Sequence, residues 1–194
     1  MNKKIRILLV SSTLFLSLVL ISQAIQAQSL VFFEESLLFE IKDGFFSVTG
    51  QYFFRNTGQS DIHQILFYPL PADEDPLSID SVSVTEIPMA AEPLLVHRSE
   101  KGFSFLVSLK AGEEKACQIF YRQKVSHHAV YILTSTQQWG KPLEKAFYQL
   151  NVPMDIRITS FSYPPDYQEN KTNERIYYWF RQNFMPDRDF EIEF

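Results

Sequence analysis

Apolar and polar residues alternate with period two along much of the chain. Val48, Tyr52 and Phe54 alternate with Ser47, Thr49, Gln51 and Arg55. Phe103, Phe105, Val107 and Leu109 alternate with Ser104, Ser108 and Lys110, and Tyr148, Leu150 and Val152 with Gln149 and Asn151. Ile156 and Ile158 alternate with Arg157 and Thr159. Phe190, Ile192 and Phe194 alternate with Glu191 and Glu193. Each pattern predicts a half-buried strand with one wet face. Turn signals separate the runs. Lys42-Asp43-Gly44 joins Leu37–Ile41 to Phe45–Arg55 as a tight hairpin. Asn56-Thr57-Gly58, Ser99-Glu100-Lys101-Gly102 and Lys110-Ala111-Gly112-Glu113 mark further reversals, and Pro164-Pro165-Asp166 opens a polar loop. No segment carries a helical stripe, and only Pro142–Ala146 suggests a single turn of helix.

About ten to twelve strands at this spacing predict an all-β fold, an antiparallel β-sandwich with immunoglobulin-like connections. The alternative is a small eight-stranded outer-membrane β-barrel, suggested by the alternating aromatic strand Phe190–Phe194 at the end of the chain. Ten prolines, short strands and charge-interrupted faces favour the sandwich.

The first 27 residues break from this pattern. Lys3, Lys4 and Arg6 precede an apolar stretch from Ile7 to Ile21, followed by Ser22-Gln23-Ala24-Ile25-Gln26-Ala27. This is the pattern of a secretory signal peptide, with cleavage expected after Ala27 or, second, after Ala24. It predicts a periplasmic or secreted protein with one β-sandwich domain over 28–194 and a soft subdivision near 137–142. A retained membrane anchor is the competing reading. The 18 Lys and Arg fall to 15 once Lys3, Lys4 and Arg6 are removed, against 23 Asp and Glu, for a net charge of −8. Such an acidic chain argues against nucleic acid and anionic lipid as partners.

Cys117 is the only cysteine, so no intramolecular disulfide can form. It is in phase with Ile119 and Tyr121, which predicts a buried core position rather than a nucleophile. Asp73, Glu74, Asp75 and Asp80 cluster around a proline-rich loop without the ligand spacing of a calcium site. His127 and His128 point to opposite faces of a strand, and His63 and His97 stand alone, so no metal site is expected. No catalytic constellation and no cofactor motif is present. Asn170-Lys171-Thr172 has the form of a glycosylation acceptor in a polar loop.

The candidate contact residues are aromatic and basic. Trp139, in Trp139-Gly140-Lys141-Pro142, offers a rigid apolar face beside Lys141, or else caps one end of the sandwich. Tyr178 belongs to Tyr177-Tyr178-Trp179-Phe180, an aromatic run that predicts a strand covered on both faces or using one for contact.

Residues 44–72 contain Phe53-Phe54-Arg55-Asn56-Thr57-Gly58 and Ile65-Leu66-Phe67-Tyr68-Pro69-Leu70-Pro71. This resembles the opening of the vault/inter-alpha-trypsin type β-sandwich. Tyr131–Thr136 with Trp139, and Asn183–Asp187, are similar to secreted bacterial families known only as domains of unknown function. The resemblance implies a β-sandwich used in contacts and brings no catalytic residues. The expected function is therefore a non-catalytic interaction or accessory module of the cell envelope, with a protein partner. An unrecognised hydrolase is the reading from a different class.

Overall fold

The structure, a computed structural model, describes residues 29–71, 79–88 and 92–194. The expected signal segment 1–27 and the carboxylates Asp73, Glu74 and Asp75 lie outside the described residues, as does the side chain of Asp80.

Thirteen strands are described: β1 (Leu30–Lys42), β2 (Phe45–Asn56), β3 (Ile62–Pro69), β4 (Ile79–Ile87), β5 (His97–Ser99), β6 (Gly102–Leu109) and β7 (Glu114–Lys124), then β8 (His128–Tyr131), β9 (Leu143–Pro153), β10 (Ser160–Phe161), β11 (Tyr167–Asn170), β12 (Glu174–Phe184) and β13 (Phe190–Glu193). Seven form one large sheet in the order β11-β12-β9-β1-β2-β7-β4. Its inner face is covered by two three-stranded sheets, β10-β13-β8 and β3-β6-β5. None of these sheets closes into a barrel, so the fold is an all-β sandwich rather than the barrel alternative.

Local chemistry explains the hairpin between β1 and β2. Asp43 and Gly44 both have positive φ, 53° and 76°, as the two central residues of a hairpin turn matched to strand twist require. At the other end of β2, the buried Asn56 holds the chain as it leaves the sheet. Its Nδ2 donates to the carbonyls of Ser60 at 2.8 Å and Lys110 at 2.9 Å, and its Oδ1 accepts from Gly58 N–H at 2.9 Å. These bonds carry the chain across to β3 in the opposite layer and satisfy a polar group that would be costly to bury alone.

Two sequence expectations are corrected. The sandwich is not antiparallel throughout: β1 pairs with β9 in parallel register, from Glu34 with Lys145 to Glu40 with Asn151. Such pairing needs a long crossover, which β2 to β8 provide. The strands on either side of 137–142, β8 and β9, lie in different sheets. Pro142–Ala146 is not a helical turn. Leu143 to Ala146 open β9, while the short 3-10 helix lies just upstream, at Thr134–Trp139.

The core is dominated by stacked aromatic rings. Phe39 packs on Phe46 with centroids 5.5 Å apart and on Phe190 at 4.9 Å, and Trp179 meets Phe190 edge-on at 4.9 Å. Cys117 is fully buried on β7, and burial pushes its thiol up to about 11. That is the environment of an inert core residue.

Candidate functional site

The second layer is split. β8 and β3 each end their small sheet, and both lie over the middle of the large sheet, where Tyr131 and Tyr68 reach the same Tyr52. A cleft of about 260 Å³ opens between them. One wall is β3 from Gln64 to Pro69, and the other is the 3-10 helix, with Ser135, Thr136, Gln138 and Trp139. Phe32, Glu35, Tyr52 and Phe54 line the floor.

Glu35 reaches this floor through an irregularity in β1. Phe32 pairs with Phe54 and Glu34 with Phe53, so Phe33 is an extra residue. Such a bulge shifts the phase of a strand. Phe32 and Glu35 thus both point inward, while Phe33 turns to the outer face beneath the Arg55 guanidinium, 4.2 Å above its ring. Glu35 is then in phase with Leu37, Phe39 and Ile41, all buried.

A carboxyl at this depth must be hydrogen-bonded. Tyr148 Oη donates to Glu35 Oε1 at 2.6 Å, and the Tyr131 hydroxyl also acts on this carboxyl, favouring its charged form. Tyr52 Oη lies 3.0 Å from Tyr131 Oη and 2.7 Å from Tyr68 Oη. Five polar side chains from β1, β2, β3, β8 and β9 thus form one network across the break in the layer. Gly50 makes room for it. A Cβ there would lie 2.5 Å from the Tyr52 ring, which lies across this position.

The electrostatics follow from burial. Glu35 is 2% exposed, and desolvation raises its pKa to about 7 against the opposing pull of Tyr148 and Tyr131. Desolvation, with the Glu35 charge among the further causes, pushes Tyr52, Tyr68, Tyr131 and Tyr148 well above the ordinary phenol range. Glu35 is therefore the one group in the network that changes charge near neutrality. No Lys, Arg, His or Cys lines the cleft among the described residues.

The three residues expected to contact a partner occupy different places. Trp139 is half-buried and is a wall of the cleft, its ring packed 5.6 Å from Phe32 and 5.7 Å from Phe54. Lys141 is exposed beyond the αL turn at Gly140 and does not line the cleft. Tyr178 lies on the outer face of the large sheet, stacked on Tyr167 at 5.8 Å, with its hydroxyl 3.4 Å from Glu169. The histidines do not converge: His63 bonds Ser108 at 2.9 Å, His127 bonds Ser126 at 2.8 Å, and His128 faces Glu191 at 3.6 Å. Among the described residues, no group of three His, Cys, Asp or Glu side chains is placed to hold a metal ion.

β3 itself has chemical character. It is eight residues long, contains no Asp, Glu, Lys or Arg, and its outer edge pairs with no strand among the described residues. Leu66 and Tyr68 point inward. Ile65 and Phe67 point out and are 71% and 54% exposed, beside the half-exposed Leu106 of β6.

No family model matches this chain, and no curated protein matches it. Solved structures do. A "putative nutrient binding protein" from Legionella pneumophila superposes with a TM-score of 0.67 at 11% identity, over 84% of this chain and 66% of that one. An M1 zinc metallopeptidase from Deinococcus radiodurans superposes with a TM-score of 0.50 at 9% identity, over 86% of this chain and 43% of that one. The chain thus spans less than two thirds of either structure. At these identities the likeness shows a shared β-sandwich fold.

Proposed function

We propose that this chain is a non-catalytic binding module of the cell envelope that holds an extended segment of a partner protein along the free edge of β3. The observation that carries the reading is that edge. An unpaired strand presents a row of backbone donors and acceptors, and proteins ordinarily blunt it with charge, proline or brevity. The other sheet edges here are blunted. β4 carries Asp80 and Glu86, β5 has three residues with Arg98 among them, β10 has two residues, β8 has four, and β11 has four with Glu169 among them. β3 has none of these devices before its terminal Pro69.

An added strand would bond the backbone of β3 and place alternate side chains on its two sides. One set would enter the cleft over Phe54 and Trp139. The other would lie beside Ile65 and Phe67, which accounts for an edge that is apolar on both faces. The signal-like N-terminal pattern supports an extracytoplasmic setting, and the acidic balance supports a protein partner rather than nucleic acid. A non-catalytic role is supported by a cleft whose polar groups bond one another and include no nucleophile–base pair.

The test is selection of peptides from a random display library, followed by amide hydrogen exchange. Selected peptides should slow exchange at Gln64–Tyr68, and Ile65→Lys with Phe67→Lys should weaken their binding at least tenfold. Tight peptides that leave exchange over β3 unchanged would overturn the reading.

A further inference from the structure

The floor of the cleft has a chemistry that the β3 edge does not explain. Glu35 is a buried carboxyl with no basic side chain lining its cleft among the described residues. The groups that face it are Tyr148 of β9, Tyr131 of β8 and, beyond them, Tyr52 of β2 and Tyr68 of β3. Arg181 of β12 acts on Tyr148. Every polar partner that Glu35 has is therefore a neutral phenol. Above it, Phe32, Phe54 and Trp139 pack within 5.7 Å of one another and turn ring surface to the cleft. Aromatic faces are the negative side of the ring quadrupole and attract cations. Two independent features, a carboxyl and π faces, thus favour the same sign of charge, and among the described residues nothing basic lines the cleft to favour the opposite one.

We infer that the cleft selects a protonated amine, carried by a side chain of the bound partner strand, which Glu35 neutralises and the Phe32–Phe54–Trp139 rings enclose. This rests on the β3 reading for its occupant but not for its chemistry. A carboxylate that accepts from the Tyr148 phenol keeps acceptor capacity for a further donor. A bound cation would favour the ionised form of Glu35, so that at neutral and lower pH the amine would enter as a proton leaves the carboxyl. The proton goes to solvent, and no covalent step is involved. An anion would meet only repulsion, and a neutral ring would gain the apolar contacts alone.

The experiment uses benzylammonium, benzyl alcohol and benzoate, three probes with one ring and three charges, titrated calorimetrically into the full chain. Benzylammonium should bind at least tenfold more tightly than benzyl alcohol at pH 8, and benzoate should show no saturation. The affinity for benzylammonium should fall about tenfold from pH 8 to pH 6, as Glu35 takes up a proton. Glu35→Gln should lower amine binding to the level of the alcohol and abolish the pH dependence, with an unchanged near-ultraviolet circular dichroism spectrum. Equal binding of alcohol and amine, undiminished amine binding by Glu35→Gln, or no saturation by any probe would each overturn the inference. The amine needs no strand along β3, so its failure and a failure of the peptide selection are separate results.

Discussion

Trp179 and Phe180 are neighbours on β12 with opposite surroundings. Trp179 is fully buried on the inner face, where its Nε1 donates to the Tyr163 carbonyl at 2.8 Å and its ring meets Phe161 and Phe190. Phe180 is 58% exposed on the outer face, leaning on Phe147 at 5.1 Å and Tyr178 at 6.5 Å. Both faces of the large sheet are rich in aromatic rings, so aromatic content does not separate core from surface or contact from packing. The treatment of polar groups does. On the inner face a carboxyl and four phenols are buried together and satisfy one another at a break in the covering layer. On the outer face, charged groups pair near water, as Arg55 does with Glu114 at 2.6 Å and Glu144 at 3.0 Å. Exposed pairs of that kind contribute little stability. A buried network costs stability if it is only partly satisfied, and it therefore marks the inner cleft as the place where a specific structure is maintained.

The sharpest way to break this contrast is to truncate the two neighbours. Trp179→Ala should destabilise the fold by about 3–5 kcal/mol, because it empties a large core site. Phe180→Ala should cost less than about 1 kcal/mol. Chemical denaturation of both variants checks this, and comparable losses would mean that the outer face is covered in the working protein.

The next effect is electrostatic. The Glu35 pKa is raised in the folded state, so the folded protein binds more protons than the unfolded chain between the ordinary carboxyl value and about 7. The stability that this group contributes is full below the unfolded value and is lost as pH rises through about 7. The loss amounts to about 3 kcal/mol. Glu35→Gln should remove that slope and leave the variant more stable than the parent at pH 8. A parent whose stability rises from pH 5 to pH 8 by the amount that Glu35→Gln abolishes would contradict a buried, high-pKa carboxyl.

Trp139 lies between the two regimes, with one ring face on Phe32 and Phe54 and the other on the cleft. Trp139→Ala should cost about 2 kcal/mol of stability, less than a fully buried Trp, and should also weaken amine and peptide binding. A loss of stability with binding intact would make it a cap alone. A smaller effect concerns β7, where Cys117 pairs across from Tyr52. Cys117→Ala should cost about 1 kcal/mol and leave binding unchanged. Rapid labelling of the native thiol by a bulky reagent would contradict its burial.

The fold was legible because alternation states which side of each strand is apolar. Leu37, Phe39 and Ile41, or Phe103, Phe105 and Val107, announce their inner face without any tertiary information. The cleft was not legible, and the reason lies in four residues. Phe32-Phe33-Glu34-Glu35 has two apolar residues followed by two acidic ones, so the alternation is broken within this stretch itself. The bulge at Phe33 puts Phe32 and Glu35 on one face, and a bulge is visible only in the register with β2. Tyr52, Tyr68, Tyr131 and Tyr148 each read as an ordinary inward aromatic residue on its own strand. Their convergence on one carboxyl is set by how two small sheets dock on a large one. Two signals were available: the in-phase spacing of Glu35 with Leu37, Phe39 and Ile41, and a glycine at position 50, two residues before Tyr52 on the same face. The expected contact residues were chosen for chemical type. Trp139 lies at the cleft, while Lys141 and Tyr178 lie apart from it.

The central claim is that Glu35 lies at the base of the cleft, titrates near neutrality and meets a cation there. Its side-chain carboxyl carbon can be followed directly by ¹³C NMR from pH 4 to pH 9, with Glu35→Gln assigning the resonance. The account predicts a midpoint near 7 in the free protein, moving to lower pH on addition of benzylammonium and staying in place with benzoate. A midpoint below 5 in the free protein, or one that benzylammonium does not move, would contradict it.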